Sequence, residues 1–153
     1  MPLYREIPTI NTAHLQELRL LRSVGGKFTG EVAYETNLGS RSCGWDLTTQ
    51  QKDLIVSDFL PDAMTAIGVE AGELGVQGSV QLRNVVQMVF RRAGDGDLLG
   101  RARFRYSLGV GGPHDLAAWA EWTLAGAQKQ TIVQKFLQSA KQAAQLAANA
   151  LAA

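Results

Sequence analysis

Cysteine is almost absent. Cys43 is the single one among 153 residues, so no intramolecular disulfide can form, and a lone thiol fits a reducing compartment. Proline is scarce too, four in the chain, and sixteen glycines show no repeat spacing, which excludes collagen-like and low-complexity readings. No apolar run approaches the length needed to span a bilayer. The first residues, MPLYREIPTINTAHLQELRLLRS, carry Arg5 and Glu6 where a secretory leader would carry an apolar stretch. The expected compartment is therefore the cytoplasm, or the periplasm or envelope if a leader has been removed. A formal charge of +1 leaves no strongly basic arm and no acidic tail.

What is present suits a folded domain. Apolar residues make up 46% and charged residues 19%, enough for a core and a wetted surface. A single domain of this length buries about 68–70% of its unfolded surface and needs neither metal nor disulfide. No internal repeat is visible and no linker divides the chain.

Local pattern predicts an α+β domain. Pro2 and Pro8 favour an extended arm over residues 1–11. Leu15, Leu18 and Leu21 recur at helical spacing behind a capping Thr12, which predicts a short helix over 12–22 closed by Gly25 and Gly26. Lys27 to Thr36 alternates as a strand, and Asn37 to Gly44 reads as a loop. Thr48 and Gln51 form a capping box for a helix carrying Leu54, Ile55, Phe59, Ala63 and Ile67. Pro61 lies inside that pattern and predicts a kink near Leu60, with Gly68 as the stop.

The clearest pattern is a β-hairpin of residues 79–91 and 99–109. Ala102, Phe104, Tyr106 and Leu108 take one parity and Arg101, Arg103, Arg105 and Ser107 the other. On the first arm Val80, Leu82, Val86, Met88 and Phe90 share a parity, and Asn84 interrupts it as a bulge or a buried hydrogen bond would. Residues 117–124 predict a strand paired back onto 101–109, because Trp119, Trp122 and Thr123 favour strand. From Gly126 the chain is built of good helix formers, with Ile132, Phe136, Ala140, Ala143, Ala147 and Ala150 as its apolar stripe. Such a helix runs about 35–40 Å. The whole predicts an antiparallel sheet of four or more strands, a kinked central helix and a long C-terminal helix packed on one face.

Motifs of chemistry are thin. His14 and His114 belong to no ligand-spaced cluster, so neither a metal nor another cofactor is expected. A Cys43–His114 nucleophile pair lacks any local signature of a reactive thiol. Gly109, Gly111 and Gly112 lack the lysine and hydroxyl of a phosphate loop and read as a turn. No catalytic residues are assigned, and the chain reads as a non-enzyme.

Charge is the more informative signal. Arg83, Arg91, Arg92, Arg101, Arg103 and Arg105 sit on the hairpin against Asp95 and Asp97 alone. Residues 46–73 hold Asp46, Asp53, Asp58, Asp62, Glu70 and Glu73 against Lys52. Such complementary patches permit self-association or binding of a protein partner. Arg83, Arg91, Arg101, Arg103 and Arg105, together with Leu146 and Leu151 of the uncharged C-terminal helix, are the candidate interaction surface. A stripe of arginines also suits an anion, but a near-neutral chain without interleaved exposed aromatics disfavours nucleic acid.

An antiparallel sheet followed by a long helix resembles the helix-grip arrangement, which implies an apolar ligand held under the helix. Phe28, Tyr34, Phe104, Tyr106 and Trp122 are the residues to line such a pocket. Alternation of helix and antiparallel sheet also resembles small accessory proteins of secretion or envelope assembly. The expectation from sequence is a non-catalytic, self-associating interaction module.

Overall fold

A computed structural model describes residues 9–11, 14–22, 27–36, 39–92, 98–109, 112 and 115–152. Six strands form one antiparallel sheet: β1 (Leu15–Arg22), β2 (Phe28–Thr36), β3 (Gly39–Trp45), β4 (Val85–Arg92), β5 (Leu98–Tyr106) and β6 (Leu116–Thr123). Their order across the sheet is β3-β2-β1-β4-β5-β6. Two long helical segments pack on one face. The first is α1 (Thr49–Leu54), a wide π-turn over Ile55–Phe59, and α2 (Leu60–Glu73); the second is α3 (Gly126–Thr131), a π-turn over Ile132–Phe136, and α4 (Leu137–Ala152). The α+β class, the hairpin, the β6 pairing and the kinked first helix agree with the sequence reading.

Other expectations are corrected. Residues 15–22 are a central strand, not a helix. Leu18 and Leu20 point into the core while Glu17 and Arg19 lie on the opposite face, and a register shift between Leu15 and Glu17 breaks the alternation that would have revealed it. The loop expected at 37–44 contains the edge strand β3, whose Gly, Ser and Cys side chains carry little pattern because its pairing is by backbone. β4 starts only at Val85, after a 3₁₀ turn at Leu82–Asn84, and Leu82 is exposed. Leu108 lies past the end of β5. Gly68 does not stop the first helix; the chain turns at Gly75, whose φ of +80° suits glycine. The stripe of α4 that is buried runs Ala140, Ala144 and Ala148, one step from the expected Ala143 and Ala147, and Ala150 is exposed. The expected Thr12 cap, the Gly25–Gly26 stop and most of the N-terminal arm lie outside the described residues, although Ile10 is buried and donates its N–H to Gln145 Oε1 at 2.7 Å.

The chain is a duplicated β-β-β-α unit. Trp45, Leu47, Gln51, Lys52, Ile55, Val56, Phe59, Leu60 and Ala63 recur at constant spacing as Trp122, Leu124, Gln128, Lys129, Ile132, Val133, Phe136, Leu137 and Ala140. The strands before them correspond as β1 to β4 and β2 to β5, and both π-turns fall on the Ile-Val-x-x-Phe segment. The chain therefore contains an internal repeat, contrary to the expectation from sequence. A connection between β5 and β6 that is longer than its counterpart between β2 and β3 shifts the spacing midway and hides it.

The helices are exchanged between the units. The α2 helix of the first unit packs on β5 and β6, whereas α4 of the second packs on β1, β2 and β3. They cross where the π-turns meet, with Phe59 and Phe136 edge-to-face at 5.9 Å and Phe59 against Phe90 at 4.8 Å. The last helix of each half thus covers strands of the other. Pro61 follows the first π-turn, but Gln138 occupies the matching position after the second, so a proline is not required for the wide turn.

Candidate interaction face

Cross-strand register sorts every strand side chain to one of two faces. On the helix-covered face run Trp45, Gly30, Leu20, Met88, Ala102 and Ala120, and beside them Cys43, Val32, Leu18, Phe90, Gly100 and Trp122. Each tryptophan lies flat over the glycine opposite it. A Cβ built on Gly30 would stand 2.6 Å from Trp45, and one on Gly100 would stand 2.7 Å from Trp122.

Among the described residues no helix lies on the other face. Its middle row is Gly44, Glu31, Arg19, Val89, Arg101 and Glu121. Arg19 bonds Glu17 at 2.6 Å and also Glu31. Burial lowers the Arg19 pKa, but hydrogen bonds and the charges of those two glutamates outweigh it and raise the value, so the guanidinium stays charged. Arg101 reaches Glu121 at 3.1 Å, and the guanidiniums of Arg101 and Arg103 lie over the Trp119 ring at 4.5 and 5.9 Å. Val89 is buried among these long side chains.

This face is electrically divided along the line between β1 and β4. The first unit contributes Glu17, Glu31 and Glu35 against Arg19; the second contributes Arg91, Arg101, Arg103 and Arg105 against Glu121. Corresponding strands of the two units thus carry opposite charge, and Glu31 corresponds to Arg101 in the repeat.

The expected surface residues are therefore not all together. Arg91, Arg101, Arg103 and Arg105 share the open face, and Arg83 is exposed at the 3₁₀ turn beside the end of β5. Leu146 is 69% exposed on α4, on the far side of the sheet, and the side chain of Leu151 lies outside the described part. Val56 and Val133, equivalent in the duplication, are also exposed on the helical layer.

The expected pocket residues take different places among the described residues. Tyr34 and Phe104 are fully buried core, and Phe28 packs against that core in part. Tyr106 and Trp122 line separate open clefts of about 460 and 370 Å³. The Trp122 Nε1 is buried without a partner among the described residues, whereas Trp45 Nε1 donates to Gln51 Oε1 at 3.4 Å.

Cys43 sits half-buried on the helix side of β3. Burial first, then the charge of Glu31, raises its pKa above the ordinary thiol value, opposite to what a nucleophile needs. Burial likewise raises the Tyr34 phenol, helped by Cys43 and opposed by Arg41. The His14 Nδ1 accepts the Asn11 N–H at 2.9 Å; His114 lies outside the described residues. Among the described residues no helix is long and apolar enough to cross a membrane. Comparison with known protein families, curated proteins and solved structures gave no significant match.

Proposed function

We propose that this chain is a non-catalytic interaction module that self-associates through the uncovered face of its sheet. The observation that carries the reading is the segregation of charge on that face. An uncovered antiparallel face is ordinary, and mixed charge would suffice to keep it wet. Separate acidic and basic halves do more: a two-fold axis running along the strands between β1 and β4 lays the acidic half of one copy on the basic half of another. Both halves are then matched at once, as an isologous pair requires. Six strands about 4.8 Å apart and about 25 Å long present roughly 600–700 Å², close to the roughly 800 Å² per partner of a standard interface. The carrier reading draws less support, because its aromatic residues are shared between core and two separate clefts.

Sedimentation equilibrium over a concentration series tests the reading. A dimer is expected at low ionic strength, weakening as salt screens the opposed halves. Arg91→Glu with Arg103→Glu, both surface changes, should leave a folded monomer. A wild-type chain that stays monomeric at every concentration and salt would overturn it.

A further inference from the structure

The arginines of the hairpin divide into two groups by what they touch. Arg101 and Arg103 are committed to Glu121 and the Trp119 ring. Arg83 and Arg105 ion-pair with nothing among the described residues, yet they line the same open cleft of about 460 Å³ together with Asn84, Tyr106, Ser107 and Asp115. A second opening of about 300 Å³ shares Arg83, Asn84, Arg105, Tyr106 and Ser107, so the same groups line two adjoining openings.

The chemistry of this wall is one-sided. A guanidinium only donates hydrogen bonds. Asn84 has its Oδ1 occupied by the Gln81 N–H at 3.0 Å, which leaves its amide NH₂ as the free end. Tyr106 and Ser107 add hydroxyl donors. Among the described residues Asp115 is the one carboxylate on the wall, and it lies beyond ion-pairing distance of both arginines. Two guanidiniums unpaired among the described residues, beside an amide and two hydroxyls, match the oxygens of a tetrahedral dianion better than a single carboxylate.

We infer that the cleft between the 3₁₀ turn and the end of β5 binds a phosphate group, held by Arg83 and Arg105, on a small phosphomonoester. The ring of Tyr106, half-buried against the core, offers the ester's organic part a flat wall, and Asp115 an acceptor for its hydroxyls. The site stands at the end of the hairpin, but its Arg105 also belongs to the basic half of the open face, so the titration is made at salt and protein concentrations where the chain sediments as a monomer.

The test is titration of the whole protein at constant ionic strength with phenyl phosphate, inorganic phosphate and benzoate, read by calorimetry and by shifts of the Tyr106 and Ser107 resonances. Phenyl phosphate should bind, moving both resonances, with inorganic phosphate weaker and benzoate weakest. Arg83→Gln and Arg105→Gln should each weaken it roughly tenfold or more, since a hydrogen bond to a charged group is lost, while Arg103→Gln changes it less than about twofold. All three arginines are exposed, and circular dichroism checks that each variant folds. Benzoate binding as tightly as phenyl phosphate, no saturable binding, or an equal loss in Arg103→Gln would each overturn the proposal. Inorganic phosphate binding as tightly as phenyl phosphate would overturn the ester and leave a free-ion site in its place.

Discussion

Gln51 and Gln128 make the same contact in opposite directions across the helix crossing. The Gln51 amide donates to the Lys135 carbonyl at 2.8 Å inside the second π-turn and to Ser139 Oγ at 3.0 Å. The Gln128 amide donates to the Asp58 carbonyl at 2.8 Å inside the first π-turn and to Asp62 at 2.6 Å. Each side-chain oxygen meanwhile accepts the N–H of its own helix cap, Thr48 at 3.0 Å and Ala125 at 2.9 Å. Thr48 completes its box by accepting the Gln51 N–H at 3.1 Å; Ala125 has no oxygen to do so. These are the two buried polar side chains of the described residues, and each is fully occupied. A π-turn leaves a carbonyl short of its usual intrahelical donor, and here the other helix provides one.

Gln51→Leu therefore removes the side-chain partner of a cap N–H and of a carbonyl at once, both in part-buried hydrogen bonds that water can replace in part. It should cost about 1–3 kcal/mol, toward the lower end of two unsatisfied groups at about 1–3 kcal/mol each. Gln128→Leu should cost a similar amount. Gln50→Leu, on an exposed neighbour, is the control and should change stability little. Urea unfolding followed by circular dichroism reads the difference; equal midpoints for Gln50→Leu and Gln51→Leu would contradict the locking role.

The tryptophan–glycine pairs predict a second sensitivity. Gly30 and Gly100 are conformationally ordinary strand residues, so alanine costs no backbone strain there. The obstacle is the indole that already occupies the space of a Cβ. Gly30→Ala and Gly100→Ala should each destabilise by about 1–3 kcal/mol, the usual range for overpacking. Gly68→Ala, with nothing within 4 Å of a new Cβ and in mid-helix, should instead stabilise by about 0.5–1 kcal/mol. Thermal melts of the three variants should show opposite signs.

How much of this was legible depends on where the information lay. The β4–β5 hairpin could be read because Ala102 and Phe104 alternate with arginine without interruption. β1 could not, because its leucines also satisfy a helical spacing and a bulge at its start resets the phase; its place between β2 and β4 decides its state. β3 has almost no side-chain signal. The repeat was present as plain identities, Gln51-Lys52 with Gln128-Lys129 and Ile55-Val56 with Ile132-Val133, but an unequal connection puts the strands and the helices at different offsets. The charge division of the open face followed from parity in β5. Its acidic counterpart needed the strand order, because only that order sets Glu17 and Glu31 around Arg19.

The thiol gives a prediction with a definite sign. Burial and the nearby Glu31 carboxylate favour the protonated form of Cys43, so its thiolate is scarcer at a given pH than that of an exposed cysteine. Alkylation by iodoacetamide at pH 8 should be slower than for a cysteine in an unfolded peptide. The rate should keep rising with pH past the range where the peptide's has levelled off. Unfolding in urea should restore the peptide rate. Cys43→Ser should leave self-association intact. A folded protein that reacts faster than the peptide at pH 8 would reopen a nucleophilic role for this residue.

An isologous pairing of unlike halves makes a prediction that simple stickiness does not. Glu31→Lys with Glu35→Lys turns the acidic half basic, so two copies of that variant face each other with like charge. Arg91→Glu with Arg103→Glu turns the basic half acidic, with the same consequence. Each variant alone should sediment as a monomer. Mixed together, every half of one meets an oppositely charged half of the other, and both contacts of the two-fold arrangement are restored. The mixture should therefore form a heterodimer that neither protein forms by itself. Surface ion pairs such as Glu31 with Arg19 contribute little to folding, so both variants should remain folded, and melts of each confirm that before mixing. Analytical ultracentrifugation with one variant labelled by a fluorophore distinguishes the outcomes. Monomers alone and monomers when mixed would mean that the divided charge serves something other than a second copy of this chain. Dimers of either variant alone would place the self-association on another surface, with the exposed valines and Leu146 of the helical layer the next to be altered.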